Sequence, residues 1–181
     1  MTKPANGNHQ YRAHPKANGH GTNPTLNGLK LTKPYTGFNG NSRGPLPGTV
    51  ALRDLILFLN AGKLTHLGTY AKRDARGKPG QPSVHQAGRA VDIGYNTRKD
   101  IEPVMKWLVD NADLLGIEMV ADYWPKPWGR TWRCDRAAWK VYDRRTIHGA
   151  PGGRWIHIEI SPQLAHDAAA MSAALEKALT E

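Results

Sequence analysis

The sequence has one cysteine among 181 residues, no long apolar run and no acidic residue in its first 48 positions. A single cysteine, Cys134, excludes an intrachain disulfide framework and a cysteine-rich metal site, and we expect it to pack as a small hydrophobic residue. The longest apolar run, 55–59, is far shorter than the roughly 20 residues of a membrane-spanning helix. No apolar segment follows the charged N-terminus, so we expect no cleaved secretory signal.

The positive charge is unevenly distributed along the chain. With 25 Lys and Arg against 15 Asp and Glu, the formal net charge is +10 when the eight histidines are neutral. Residues 1–48 carry six of the basic side chains, and their Asn, Gly and Pro content favours turns over a packed core. We interpret 1 to about 25 as a mobile basic arm, 26–48 as a strap over the domain, and 49–181 as the domain itself.

The remainder of the chain has an ordinary globular composition, with 39% hydrophobic and 22% charged residues overall. Apolar residues at helical spacing predict a helix that begins at Thr49, a second from about Lys99 to Leu115 and a third that begins at Ser161. Alternation predicts strands between them. We therefore predict the α+β class, with a small antiparallel sheet flanked by helices. The predicted strands are 64–70, 117–123 and 155–160; the predicted loops are the basic segment 71–82 and the tryptophan-rich segment 124–140.

Three side chains form a candidate metal-binding set. His85 and Asp92 are separated by a bend at Gly88, and the apolar residues around Asp92 place it on a core strand. His157 projects from the polar face of the last predicted strand. Two imidazole nitrogens and one carboxylate oxygen suit Zn²⁺ with a fourth position left for water. The spacing alone leaves open that these are ordinary hydrogen-bonded histidines.

The segment around these residues resembles a known signature, Ser-x-His-x-x-Gly-x-Ala-x-Asp. It is typical of the D-alanyl-D-alanine metallopeptidase and lysostaphin-type superfamily, in particular its carboxypeptidase and endolysin branch. The segment 157–160, His-Ile-Glu-Ile, is similar to the late strand that bears the third ligand in that family. The resemblance covers about 50–162 and implies a hedgehog-like fold, a zinc ion and hydrolysis of peptide bonds in bacterial peptidoglycan. The implied zinc ligands are His85, Asp92 and His157, and the matched signature residues are Ser83, His85, Gly88, Ala90 and Asp92.

One departure from the family concerns the general base. Many members carry an acidic residue three positions before the final ligand, where this chain has Arg154. Two catalytic candidates remain, Glu159 and His148. Strand alternation places Glu159 on the face of His157, where it could reach the activated water or orient the ligand. The alternatives are a salt bridge from Glu159 to Arg89 or Arg154, and a solvated surface role for His148.

Four residues are candidates for substrate binding. The resemblance implies that Arg73 holds a substrate carboxylate or carbonyl. Ser83, which belongs to the signature, is a second candidate for substrate binding. Trp124 and Trp128 lie in a segment too rich in Pro and Gly for a helix, so we predict a loop beside the site. Such aromatic side chains stack on sugar rings or line a peptide groove; the alternative is that they pack the loop onto the core.

The leading functional hypothesis is a zinc-dependent peptidase, an endopeptidase or a D,D- or L,D-carboxypeptidase-like hydrolase, that acts on peptidoglycan as a phage lysin or virion-associated hydrolase. It would reach the wall from the infected cytoplasm after holin-dependent release, or within a particle, and its basic arm would bind anionic wall polymers. One alternative is an inactive wall-binding or structural virion protein on the same fold, which Arg154 favours. The other alternative is a nucleic-acid-binding protein, which the +10 charge suggests. Nucleic-acid binding would give His85, Asp92 and His157 no role, so we do not expect nucleic acid as a partner.

Overall fold

The computed structural model describes residues 25–26, 29–30, 32–143 and 152–180. Within these ranges the chain forms helices and antiparallel strands, and a 3₁₀ turn over Val84–Ala87. In chain order the elements are β1 Thr25–Leu26, β2 Leu29–Lys30, α1 Pro47–Leu59, β3 Leu64–Gly68, β4 Ala90–Tyr95, α2 Arg98–Asp110, β5 Ile117–Asp122, β6 Arg130–Arg133, β7 Ala138–Val141, β8 Trp155–Ile160, α3 Pro162–His166 and α4 Ala168–Thr180.

Six of the strands form one antiparallel sheet in the order β3-β4-β8-β5-β6-β7. The last strand of the chain, β8, is therefore inserted between β4 and β5. Its register places Asp92 of β4 and Ala121 of β5 directly opposite His157. Residues that face each other across antiparallel strands point to the same side of the sheet, so Asp92 and His157 share one face. The predicted α+β class is confirmed.

The other face of the sheet packs against the helices. Ile156, Ile158 and Ile160 alternate along β8 and are all fully buried in one hydrophobic cluster with residues of α1, α2 and α4. The alternation predicted for this strand is therefore confirmed, with its isoleucines in the core and His157 on the opposite side. None of the helices in the described part of the chain has both the length and the apolar character needed to cross a bilayer.

Residues 32–46 form no helix and no strand and pass over the face of the sheet that carries His157. The backbone N–H of Leu46 donates to the carbonyl of Gly88, a residue of the matched signature, at 3.0 Å. Gly88 has φ +72°, and a Cβ there would overlap backbone of this segment. Only glycine therefore meets both the left-handed conformation and the close approach. Below, "the strap" means 32–46, which is the irregular part of the predicted segment 26–48. Residues 1–24 of the predicted basic arm lie outside the described residues.

A buried arginine joins the strap to the sheet. Arg89 is fully buried, and its guanidinium donates to Asn39 Oδ1 at 2.8 Å and to the carbonyl of Gly37 in the strap. The same group donates to the carbonyl of Ile160 and lies 3.3 Å from Glu118 Oε2. A guanidinium has five donors in a fixed plane, which lets one side chain hold both segments.

Several predicted boundaries are wrong. Helix α1 begins at Pro47, not Thr49, because proline at the first helical position supplies the required φ without losing a hydrogen bond. The division predicted after residue 48 therefore falls inside α1. The predicted helix from Lys99 to Leu115 ends at Asp110, and the C-terminal helix is interrupted before Ala168. Part of the predicted tryptophan-rich loop is instead the β6–β7 hairpin.

Candidate metal centre

Local structure brings the three predicted ligands together. The Oγ of Ser83 accepts the backbone N–H of His85 at 3.3 Å and caps the 3₁₀ turn that carries this histidine. Gly88 ends the turn, and β4 then carries Asp92 to the position opposite His157. The signature therefore fixes the turn and the first two ligands, while strand pairing supplies the third.

The carboxylate of Asp92 lies between the two imidazoles. Its Oδ1 is 2.8 Å from Nδ1 of His157, and its Oδ2 is 3.2 Å from Nε2 of His85. One potential ligand atom from each residue lies within 4.8 Å of the other two. His85 is 3% and Asp92 9% exposed, and the side chain of His157 is 12% exposed. This group could hold a metal ion.

In each imidazole, the ring nitrogen that does not face Asp92 lies close to an acceptor oxygen. Nδ1 of His85 lies 3.4 Å from the carbonyl of Thr69, and Nε2 of His157 lies 2.9 Å from Oε1 of Glu159. In metal sites such acceptors fix the tautomer and orientation of a ligating imidazole. Nε2 of His85 is buried and has no hydrogen bond of acceptable geometry within the described ranges, despite the nearby Asp92 oxygen. A buried nitrogen with a free lone pair suits a metal, so the donor set fits one.

The charges in the cluster reinforce one another. Burial raises the pKa of Asp92, but its close contacts with His157 and His85 more than offset this effect and hold that pKa well below its usual range. Burial likewise opposes protonation of His157, yet its contacts with Asp92 and Glu159 raise its pKa to about 10. The pKa of Glu159 is lowered, since contact with His157 outweighs the effect of burial. A metal ion bound by His157 would have to compete with the proton on the coordinating nitrogen.

The cluster lies at the floor of a cleft of about 450 Å³. One wall is aromatic, because Tyr123 stacks on Trp155 with ring centroids 3.8 Å apart. The predicted basic loop 71–82 forms another wall, and the guanidinium of Arg76 lies 5.2 Å above the Trp155 ring. Tyr35 of the strap lines the cleft as well. Such a cleft can bind a chain with apolar and anionic groups.

Two of the four predicted substrate-binding residues line the cleft, and two do not. Arg73 and Ser83 line the cleft together with the three candidate ligands. Trp124 and Trp128 are not among its lining residues. Trp124 is instead 39% exposed, and its backbone N–H donates to the carboxylate of Asp122 at 3.1 Å. His148, the second predicted catalytic residue, lies outside the described residues.

The alternative salt bridges predicted for Glu159 are wrong. Arg89 pairs with Glu118 instead, and Arg154 points to the carbonyl of Asn96 at 3.4 Å. Glu159 is 5% exposed, and its partners are His157 at Oε1 and the hydroxyl of Tyr35, 2.6 Å away, at Oε2. Both oxygens of this carboxylate are therefore engaged.

Sequence reasoning missed Tyr35, Arg76, Tyr123 and Trp155 in the cleft. Trp155 could have been predicted from the sequence, because strand alternation places this residue on the same face as His157. Tyr35 gave no such signal, since 124 positions separate it from Glu159 and nothing in the local pattern links them.

Comparison with protein-family models, with curated proteins and with solved structures finds no match to this chain. The fold and the site therefore define the protein as an α+β protein with a candidate metal centre in an open cleft.

Proposed function

We propose that the protein is a zinc-dependent peptidase with a hedgehog-like, D-alanyl-D-alanine-peptidase-like domain, and that it hydrolyses peptide bonds of bacterial peptidoglycan. The observation that carries the proposal is the convergence of His85, Asp92 and His157 on the floor of a cleft, with ligand atoms within 4.8 Å of one another. The resemblance of the segments 83–92 and 157–160 to the peptidase signature supports the choice of reaction.

Zinc suits this donor set better than magnesium or calcium. Two imidazole nitrogens and one carboxylate are typical of catalytic zinc sites, whereas the hard cations prefer oxygen ligands. His85, Asp92 and His157 would hold the ion, as the contacts around Asp92 indicate. When bound, zinc would supply a water with a pKa near 7 and a Lewis acid for the scissile carbonyl.

The walls of the cleft account for binding of a peptide stem. The stacked pair Tyr123 and Trp155 offers apolar surface, and Arg73 and Arg76 offer donors for carboxylate or carbonyl oxygens. A guanidinium of the cleft and a carboxylate of the substrate would form a strong, charge-assisted hydrogen bond at such a partly enclosed surface. We infer a peptide that carries acidic groups as the substrate class.

We further propose that the protein acts on the bacterial cell wall during phage infection. A phage lysin released with a holin, or a hydrolase carried in the virion, would present this cleft to the wall. The six basic side chains of 1–48 would hold the protein near anionic wall polymers by a salt-sensitive attraction.

The test joins metal analysis with fragment analysis. We expect one zinc per chain in the purified protein and release of peptide fragments from defined peptidoglycan, identified by mass spectrometry and abolished by a chelator. His85→Ala and Asp92→Ala should lose both zinc and activity. His166→Ala, which alters an exposed histidine on α3, is the matched control and should retain both. Absence of zinc together with unchanged fragment release in the two ligand variants would contradict the proposal.

A second candidate is an inactive wall-binding protein that keeps the metal centre. Two observations favour it: Arg154 stands at the family's usual acidic position, and both oxygens of Glu159 are engaged. The same experiment separates the candidates, because this protein would bind zinc and sediment with peptidoglycan but release no fragment.

A further inference from the structure

Glu159 lines the cleft, but its contacts are those of a support for His157. Its Oε1 accepts from Nε2 of His157 at 2.9 Å, which leaves Nδ1 of that ring directed at Asp92, 2.8 Å away. A carboxylate that orients a ligating imidazole contacts the nitrogen opposite the metal, and Glu159 has this position.

The second oxygen of Glu159 is held by the strap. The hydroxyl of Tyr35 donates to Oε2 at 2.6 Å, and burial together with the Glu159 charge raises the pKa of Tyr35 far above its ordinary value. The hydroxyl therefore remains protonated and is a permanent donor. A general base must have an oxygen within reach of the water it deprotonates. Each oxygen of Glu159 already accepts a hydrogen bond, and the residue is only 5% exposed, so its contacts favour positioning over proton transfer.

We propose that Tyr35 and Glu159 form an orienting pair that fixes His157 as an Nδ1 metal ligand. The strap then contributes a positioning residue to a centre whose other members belong to the turn at 84–87 and to the strands β4 and β8. The inference rests on the metal centre of the proposed function, and it removes Glu159 from the role of general base.

Other contacts keep the strap in place without reaching the metal centre. The hydroxyl of Tyr70 donates to the carbonyl of Ser42 in the strap at 3.0 Å, and Tyr70 is not among the cleft-lining residues. Tyr70→Phe therefore removes one hydroxyl hydrogen bond to the strap, as Tyr35→Phe does, but leaves Glu159 and His157 untouched. It is the matched control.

The experiment measures zinc affinity of the full-length protein by competition with a chromophoric chelator. Loss of a partner that orients a ligand typically weakens metal binding about 10- to 100-fold. We expect a loss in this range for Glu159→Gln, a loss of about tenfold for Tyr35→Phe and a change of less than about twofold for Tyr70→Phe. Circular dichroism and thermal melting confirm that each variant is folded. Unchanged affinity in both Glu159→Gln and Tyr35→Phe would overturn the proposal.

Two further readouts separate positioning from catalysis. In zinc-loaded protein, long-range ¹H–¹⁵N spectra should show His157 protonated at Nε2 and metal-bound at Nδ1; the reverse assignment overturns the proposal. At saturating zinc, Glu159→Gln should keep kcat within about tenfold of wild type, whereas loss of a general base costs roughly 10²- to 10⁴-fold. A larger kcat loss at saturating metal overturns the assignment whatever the affinity.

Failure of this inference is distinguishable from failure of the proposed function. A wild-type protein that binds zinc but releases no peptidoglycan fragment refutes the peptidase, while the affinity and ¹⁵N measurements still decide the role of Tyr35. A wild-type protein that binds no zinc refutes both.

Discussion

Replacement of Arg89 by Met tests whether the strap is held to the sheet by one buried guanidinium. The side chain is fully buried and contacts Glu118 together with acceptors in the strap and in β8. Methionine fills a similar volume but donates no hydrogen bond. Among the described residues, Glu118, which is 5% exposed, would keep only the Thr36 hydroxyl, 2.5 Å away, as a side-chain partner.

The magnitude follows from the charge left behind. Removal of one partner from a buried ion pair costs about 3–5 kcal/mol, because the remaining charge stays buried without compensation. We expect Arg89→Met to lower the free energy of unfolding by about 4 kcal/mol, with a fall in Tm of roughly 10 °C for a chain of this size. The double variant Arg89→Met/Glu118→Gln should recover about 1 kcal/mol or more, since it removes the unpaired charge.

Urea unfolding followed by tryptophan fluorescence measures these changes. Arg43→Met is the control, because Arg43 is an exposed strap residue and its replacement should change stability by less than about 0.5 kcal/mol. A loss below about 1 kcal/mol for Arg89→Met, or a double variant no more stable than the single one, would refute the reasoning.

Three further predictions concern the rest of the fold. Gly48→Ala would overlap a backbone carbonyl oxygen of α3, so we expect a loss of about 2–3 kcal/mol in urea unfolding; Gly44→Ala, whose Cβ meets nothing within 4 Å, should be neutral. Asp122 is fully buried between two arginines, so Asp122→Asn should lower stability by about 3 kcal/mol or more, and a change under about 1 kcal/mol would contradict this. Burial raises the pKa of the Cys134 thiol, so maleimide labelling at pH 8 should be roughly tenfold or more slower in the native than in the urea-unfolded protein; equal rates would show that the thiol is accessible.

The sequence predicted best where the signal is local and periodic. Alternation along 155–160 separated the buried isoleucines from His157, because successive side chains of a strand point to opposite faces. The tryptophan-rich segment was mispredicted in part. Its Pro and Gly residues end before Arg130, and the hairpin that follows is held by pairing between β6 and β7, which local composition does not encode.

The proposed base shows what contacts add to a pattern. Period-two spacing correctly placed Glu159 on the face of His157 but could not say which nitrogen it meets or what occupies its second oxygen. The structure gives Nε2 of His157 for the first and the hydroxyl of Tyr35 for the second. These two contacts favour positioning over proton transfer.

By itself the sequence determined the α+β class, the turn and strand that present His85 and Asp92, and the polar face that presents His157, because these depend on glycine conformation and side-chain periodicity over a few residues. Only the tertiary structure decided that β8 lies beside β4, that Trp155 and not Trp124 lines the cleft, and that Tyr35 reaches Glu159. Those arrangements depend on contacts between residues far apart in the chain, where the free energy comes from burial and pairing and no local pattern records the partner.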